Sequence, residues 1–68
     1  LYLRPLEGLE KWLKGFSEKK ASEKLLMLIS TSLAYGFLDY ASAILNNSPI
    51  SKYIRNKDRK EILLKINS

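Results

Sequence analysis

The middle of the chain is an apolar run, LLMLISTSLAYGFLDYASAIL, that covers residues 25–45. One helical stripe in this part of the chain consists of Leu26, Ile29, Leu33, Phe37, Tyr40 and Ile44. A second stripe consists of Ala21, Leu25, Leu28 and Tyr35. A helix that is apolar on two faces lies at the centre of its domain or is sandwiched against a partner. The run therefore predicts an all-α fold built around a central helix.

Gly36 raises the question of whether residues 18–46 form one helix or two. An unbroken helix would contain roughly 28 residues and extend about 40 Å. We expect a break or bend near Gly36, with Asp39 as the cap of a shorter helix over residues 40–46. About 20 apolar residues would also suffice to span a membrane, but Asp39 and several hydroxyl-bearing side chains argue against a span. We therefore expect no membrane association.

The flanking segments carry signals for further helices. Pro5 suits the first turn of a helix that ends near Gly15, and Ser17 suits the N-cap of the next helix. Asn-Asn-Ser-Pro at residues 46–49 predicts a stop followed by a new start, with Ser48 as N-cap.

The last twenty residues contain two apolar faces that are out of register. The first face consists of Ile50, Tyr53 and Ile54, and the second of Ile62, Leu63 and Ile66. One straight helix cannot bury both faces. Because Asp58 and Glu61 form a D-x-x-E capping pattern, we predict a helix over 49–55, a turn at Asn56-Lys57 and a helix over 59–67.

The chain has 68 residues, which is enough for one domain. We expect residues 1–68 to form a single helical domain, free-standing or part of a larger assembly. Its architecture is expected to be a small all-α bundle of three to four helices with a helix-turn-helix-like C-terminal pair. The expected core consists of Leu9, Leu13, Phe16, Leu26, Ile29, Leu33, Phe37, Ile44, Ile54, Ile62 and Ile66.

The composition argues against an enzyme. The sequence has no Cys and no His, which removes the commonest metal ligands and the commonest general base. Its glycines are isolated, so it has no glycine-rich phosphate loop. Its glutamates are scattered among lysines, as on a solvated helix face. We expect no catalytic residue, metal ligand or cofactor, and a cytoplasmic location.

Positive charge is concentrated in the last third of the chain. The net charge is +5, and residues 49–68 contain six basic side chains against two acidic ones. The stretch SKYIRNKDRK, residues 51–60, provides most of them. The candidate nucleic-acid-binding residues are Lys52, Arg55, Asn56, Lys57, Arg59 and Lys60. Such a cluster at the start of a helix favours phosphate, because the backbone N–H groups and the helix dipole there add to the side-chain charge.

Three interpretations of this basic stretch remain open at the sequence level. The favoured one is a module that contacts the phosphate backbone of DNA or RNA with little sequence preference, as an accessory part of a nucleic-acid-handling protein or complex. A second is a solvated face that keeps the domain soluble. A third is a surface that docks an acidic protein partner. Separately, the two apolar faces of the central run exceed what one small chain easily covers, so we predict a homodimer or a protein partner. The alternative function is therefore a protein-interaction or homodimerisation module that uses the central helix. Its candidate interface residues are Leu26, Leu33, Phe37 and Tyr40, and Tyr2 is a further aromatic residue able to meet a partner.

Overall fold

The computed structural model describes residues 3–68, which form five α-helices joined by short turns. They are α1 (Leu3–Lys14), α2 (Glu18–Ala34), α3 (Leu38–Leu45), α4 (Ser48–Ser51) and α5 (Asn56–Asn67). The all-α class is thus confirmed. The helix number exceeds the predicted three to four because the central run is divided and α4 is a single turn. Tyr2 lies outside the described residues.

Helix α3 is the centre of the packing. It contacts α2, α4 and α5, while α1 packs against α2 and α4. The radius of gyration over Cα atoms is 11.1 Å, close to the value of about 11 Å that a chain of this length has as one compact domain. The shortest dimension, 19 Å, corresponds to two layers of helices, since a helix with its side chains is about 10 Å thick.

The apolar run is interrupted at Gly36, as predicted. Gly36 has a φ angle of 79°, a conformation that glycine adopts without steric cost and other residues avoid. Ser17 is the N-cap of α2, as predicted, and its hydroxyl accepts a hydrogen bond from the Lys20 backbone N–H at 3.3 Å. The predicted cap at Asp39 is wrong: α3 has Phe37 as its N-cap residue, and Asp39 lies in the first turn. A carboxylate is favourable there for the same reason as at a cap, because it faces the positive end of the helix dipole.

The C-terminal break is real, but it lies earlier than predicted. Helix α4 ends at Ser51, the turn covers residues 52–55 and α5 begins at Asn56. The predicted turn at Asn56-Lys57 and the predicted cap at Asp58 are therefore wrong. The predicted cap at Ser48 is also wrong, because Ser48 is the first residue of α4 and Asn47 is its N-cap residue. The chain is extended at Arg55, with φ −71° and ψ 151°, and the turn that ends there allows each of the two apolar faces to reach the core.

The core is drawn from all five helices of the described chain. Its buried members are Leu6, Leu9, Leu13, Ala21, Leu25, Ile29, Ala41, Ile44, Leu45, Ile50, Ile54 and Ile62. Six of the eleven predicted core residues are among them. The half-buried predicted residues are Phe16, Leu26, Leu33 and Ile66. Phe37 is 59% exposed, because the break at Gly36 turns it out of the helical stripe on which the prediction relied.

The buried face of α2 mixes the two predicted stripes. It consists of Ala21, Leu25, Ile29 and Ser32. The Ser32 hydroxyl is accommodated because it donates to the Leu28 carbonyl one turn earlier, at 2.8 Å. Among the helices of residues 3–68, none has the length and apolar character needed to cross a membrane.

Candidate nucleic-acid interface

The six predicted nucleic-acid-binding residues lie around the junction between α4 and α5. Lys52 follows α4, Arg55 is the N-cap residue of α5, and Asn56 and Lys57 belong to its first turn. Arg59 and Lys60 follow in the same helix. The turn over residues 52–55 therefore brings the end of one helix and the start of the next to one corner, as the sequence predicted, although the helix boundaries differ.

Arg55 is held in place by an ion pair. Its Nε donates to Oδ2 of Asp58 at 3.0 Å, three residues later. The Asp58 side chain is only 18% exposed, whereas that of Arg55 is 75% exposed. This contact uses one of five guanidinium N–H donors, so the outer end of Arg55 remains able to bind a ligand. The pair nevertheless lowers the net positive charge of the corner.

Arg59 has a structural contact. Its side chain is half-buried, and Nη1 donates to the Leu45 carbonyl oxygen at 3.2 Å. Leu45 is the last residue of α3, where carbonyl groups lack helical partners and the helix dipole is negative. Arg59 thus caps α3 and fastens α5 to it. Sequence reasoning assigned Arg59 to the exposed basic set because the acceptor lies 14 residues away.

Lys57, Lys60 and Asn56 remain exposed at the start of α5. Lys57 and Lys60 are three residues apart and therefore lie on the same side of the helix, opposite the buried Ile62. Neither lysine forms an ion pair within residues 3–68. No side chain in this described range caps the first turn of α5 either. The start of α5 therefore presents both free backbone N–H groups and two cations, Lys57 and Lys60, that are unpaired in the described chain.

Lys52 and Arg55 also border a groove of about 340 Å³ between the turn and the first half of α2. The residues that line this groove include Glu18, Glu23, Leu26, Lys52, Tyr53 and Arg55. The Lys52 Nζ atom lies 5.3 Å from the centroid of the Tyr53 ring. Phe16 borders a smaller hollow beside the same lysine and tyrosine. The lining of the groove thus combines aromatic and aliphatic side chains with charged side chains of both signs.

The carboxylates of this groove are functional candidates that sequence reasoning missed. Glu18 and Glu23 were interpreted as part of a solvated helix face, since each is surrounded by lysines in the sequence. Neither forms an ion pair in the part of the chain that the structure describes. They border the groove together with a turn that lies some 30 residues later in the sequence. No local sequence pattern indicates this proximity.

The four predicted interface residues do not form one surface. Leu26 borders the groove described above, whereas Leu33 borders a separate hollow with Leu38 and Lys65. Phe37 and Tyr40 lie at the corner between α2 and α3. Leu26, Leu33 and Tyr40 also pack on the core of their own domain. Burial raises the pKa of the Tyr40 hydroxyl, because the charged phenolate is poorly solvated there.

An exposed aromatic pair occupies the same corner, and one of its members, Phe37, was expected in the core. Tyr35 is 73% and Phe37 59% exposed. Their rings stack with centroids 6.2 Å apart, and Leu38 beside them is also exposed. We call Tyr35, Phe37 and Leu38 the corner patch. Exposed apolar clusters of this kind often mark interaction sites.

Within residues 3–68, no group of three or more carboxylates comes together in a way that could hold a metal ion. Comparison with known proteins adds no assignment: no protein-family model, curated protein or solved structure matches the chain.

Proposed function

We propose that this chain is a non-enzymatic module that binds the phosphate backbone of nucleic acid through the start of α5, as an accessory part of a nucleic-acid-handling protein or complex. The observation that carries the proposal is the coincidence of Lys57, Lys60 and Asn56 with the uncapped first turn of α5. Phosphate is the ligand that this combination favours, because backbone N–H groups, the helix dipole and lysine side chains all attract an anion.

In this proposal, α4 and α5 act as a helix-turn-helix-like pair with α5 as the contacting helix. The outward side of α5 carries Lys57, Lys60 and, one turn further, the exposed Leu64. The exposed carboxylate of Glu61 lies on the same side, one turn after Lys57, and the middle of this side offers none of the arginine, glutamine or asparagine side chains that read base edges in a major groove. The proposed contact therefore involves the backbone and has little dependence on base sequence.

The proposal is tested by reversing the two free charges. We expect Lys57→Glu/Lys60→Glu to weaken binding to a duplex oligonucleotide by about tenfold or more at low salt. The salt dependence of log K should also become shallower by about two, since each lost phosphate contact removes about one. Fluorescence anisotropy across a salt series measures both quantities.

The matched control is Lys11→Glu/Lys20→Glu, which changes the net charge equally at exposed positions of α1 and α2. We expect it to weaken binding much less than the α5 variant. Equal weakening by both variants would show that only net charge matters, and absence of binding by the parent protein at low salt would overturn the proposal.

The second candidate function is a protein-interaction module, and the corner patch is the observation that favours it. Tyr35, Phe37 and Leu38 expose apolar surface in a domain with few residues to cover it. The two functions respond oppositely to salt: backbone binding weakens as salt is added, whereas apolar association persists or strengthens.

A further inference from the structure

We propose that the groove between α2 and the 52–55 turn holds one unpaired base, so that this protein binds single-stranded nucleic acid more tightly than a duplex and prefers guanine at that position. This inference rests on the proposed backbone contact at α5 and adds a base-binding site beside it. The observation that carries it is the arrangement of charges and rings around the groove.

The two walls of the groove differ in net charge. Lys52 and Arg55 stand on the side of the turn, whereas Glu18, Glu23 and one cation, Lys19, stand on the side of α2. A phosphate group is attracted by the first wall and repelled by the second. A strand whose backbone follows Lys52, Arg55 and Lys57 therefore keeps its phosphates at the rim and directs a base, which is uncharged, towards the carboxylates.

The apolar part of the groove lining suits a flat ring. Tyr53 and Leu26 contribute aromatic and aliphatic surface, and Phe16 lies at the adjoining hollow. The volume of about 340 Å³ lies at the small end of the range for ligand pockets, about 300 to 1,000 Å³. Stacking of unpaired bases on aromatic side chains is a general mode of single-strand binding.

The carboxylates determine which base is preferred. Guanine presents two neighbouring N–H donors, N1–H and N2–H, on its Watson–Crick edge, and one carboxylate can accept both. Thymine and uracil present one donor flanked by two carbonyl acceptors, which the carboxylates repel. In a duplex the guanine donors are already paired to cytosine, so they are accessible only in a single strand.

Arg55 is oriented to contact a phosphate at the rim of the groove. Its Nε is fixed by Asp58 at 3.0 Å, which orients the guanidinium and leaves its outer N–H groups free for a phosphate. Lys19, on the α2 side, also borders the groove and adds a third cation near the carboxylates. The cations therefore outnumber the carboxylates around the groove, and a polyanion is still attracted to it.

The test compares three fluorescein-labelled probes of about ten nucleotides, a length within the usual range for single-strand sites. They are an oligothymidylate, the same strand with one central guanine, and a duplex. We expect the guanine strand to bind at least about fivefold more tightly than oligothymidylate, as for one good bidentate contact. We expect Glu18→Gln/Glu23→Gln to abolish this ratio. Because both strands have the same charge, the ratio is insensitive to the altered net charge of the variant.

The matched control is Glu7→Gln/Asp39→Asn, which changes the net charge equally at exposed positions on α1 and α3, away from the groove and from α5. We expect it to preserve the guanine preference. Tyr53→Leu should weaken both single strands by at least about fivefold and leave duplex binding unchanged, whereas Tyr53→Phe should behave as the parent protein. Thermal melting checks that the leucine variant is folded, because Tyr53 also packs on the core.

The outcomes separate this inference from the proposed function. If no probe binds at low salt, both fail. If binding depends on Lys57 and Lys60 but the guanine strand has no advantage, the base site is refuted and the backbone contact stands. The base site would also be refuted if Glu18→Gln/Glu23→Gln still bound the guanine strand more tightly than oligothymidylate. The same conclusion would follow if Tyr53→Leu weakened the binding of duplex and single strands equally.

Discussion

Single side chains in the basic stretch have different roles, and Arg59 shows this most clearly. Its guanidinium caps the C-terminal carbonyl of α3, whereas Lys60, its neighbour in sequence, is exposed and without an ion pair in the described chain. Reversal of charge at these two positions should therefore have unequal effects on the free energy of unfolding.

We expect Arg59→Glu to lower the free energy of unfolding by about 1.5 to 3 kcal/mol, the range for hydrogen bonds that involve a charged group. The new carboxylate would also face the negative end of α3. Lys60→Glu should change stability by no more than about 0.5 kcal/mol. Urea unfolding followed by circular dichroism measures both, and equal stabilities would contradict the capping role of Arg59.

A second prediction for a single residue concerns Tyr40 and the pH dependence of the free energy of unfolding. Burial raises the pKa of its hydroxyl in the folded state above the ordinary value of 10.0. The folded protein therefore binds this proton more tightly than the unfolded chain does. Stability is unaffected well below pH 10 and falls as the pH rises through about 10 towards the folded pKa, because the unfolded chain ionises first.

We expect Tyr40→Phe to remove the loss of stability that accompanies ionisation of this tyrosine. The free energy of unfolding of the variant should therefore decline less steeply than that of the parent between about pH 9 and pH 11. Urea unfolding across this range gives the slope. The same slope in the parent and in Tyr40→Phe would contradict the prediction.

At the scale of the elements, two glycines are expected to respond oppositely to the same substitution. Gly36 has a φ angle of 79° between α2 and α3, whereas Gly8 lies within α1. A Cβ atom would meet no other atom within 4 Å at either position. The difference between them is therefore one of backbone conformation alone.

We expect Gly36→Ala to destabilise the protein by about 1 kcal/mol or more, because alanine is strained at positive φ. Gly8→Ala should stabilise it by up to about 1 kcal/mol, since alanine is the better helix former. For a domain of this size, 1 kcal/mol corresponds to a shift of about 4 to 8 °C in Tm. Melting followed by circular dichroism measures both shifts, and a shift of the same sign in both variants would contradict this account.

Local signals predicted the helices well and their ends less well. Ser17 and Gly36 were identified because capping and positive φ depend on residue type and near neighbours. The start of α5 was misplaced by three residues because Asp58 is as favourable in a first turn as at an N-cap. What separates these two cases is the burial of Ile54 and Ile62, which depends on the whole fold.

The candidate site was predictable only in part, for the same reason. The charged residues of the stretch could be identified from sequence, but their division into free, paired and capping side chains could not. Arg59 reaches a carbonyl 14 residues earlier, and Lys52 lies across a groove from Glu18 and Glu23. Contacts between distant segments leave no periodic pattern in the chain.

For the whole molecule, the corner patch leads to a prediction about association. Sequence reasoning predicted a dimer or a protein partner, because the central run seemed too apolar for one small chain to cover. The structure buries much of that run but leaves Tyr35 and Phe37 exposed and stacked on each other. Removal of this aromatic surface should reduce self-association.

We expect the parent protein to associate reversibly at tens of micromolar, as measured by sedimentation velocity, and Tyr35→Ser/Phe37→Ser to shift it towards the monomer. Leu64→Ser is the control, because Leu64 is equally exposed, at 72%, but lies on α5. Added salt should not dissociate the parent, since the contact is apolar. A parent protein that stays monomeric at this concentration would exclude a homodimer through the corner patch.

The chain contains one tryptophan, and its position gives the protein a natural optical label. The Trp12 ring meets Phe16 edge-on, with centroids 5.2 Å apart, and Phe16 borders the hollow next to Tyr53. Indole emission responds to the polarity and mobility of its immediate surroundings. Intrinsic fluorescence of this protein therefore monitors the junction of α1 and α2 during unfolding, and the adjoining end of the groove during titration with a ligand, without any attached dye.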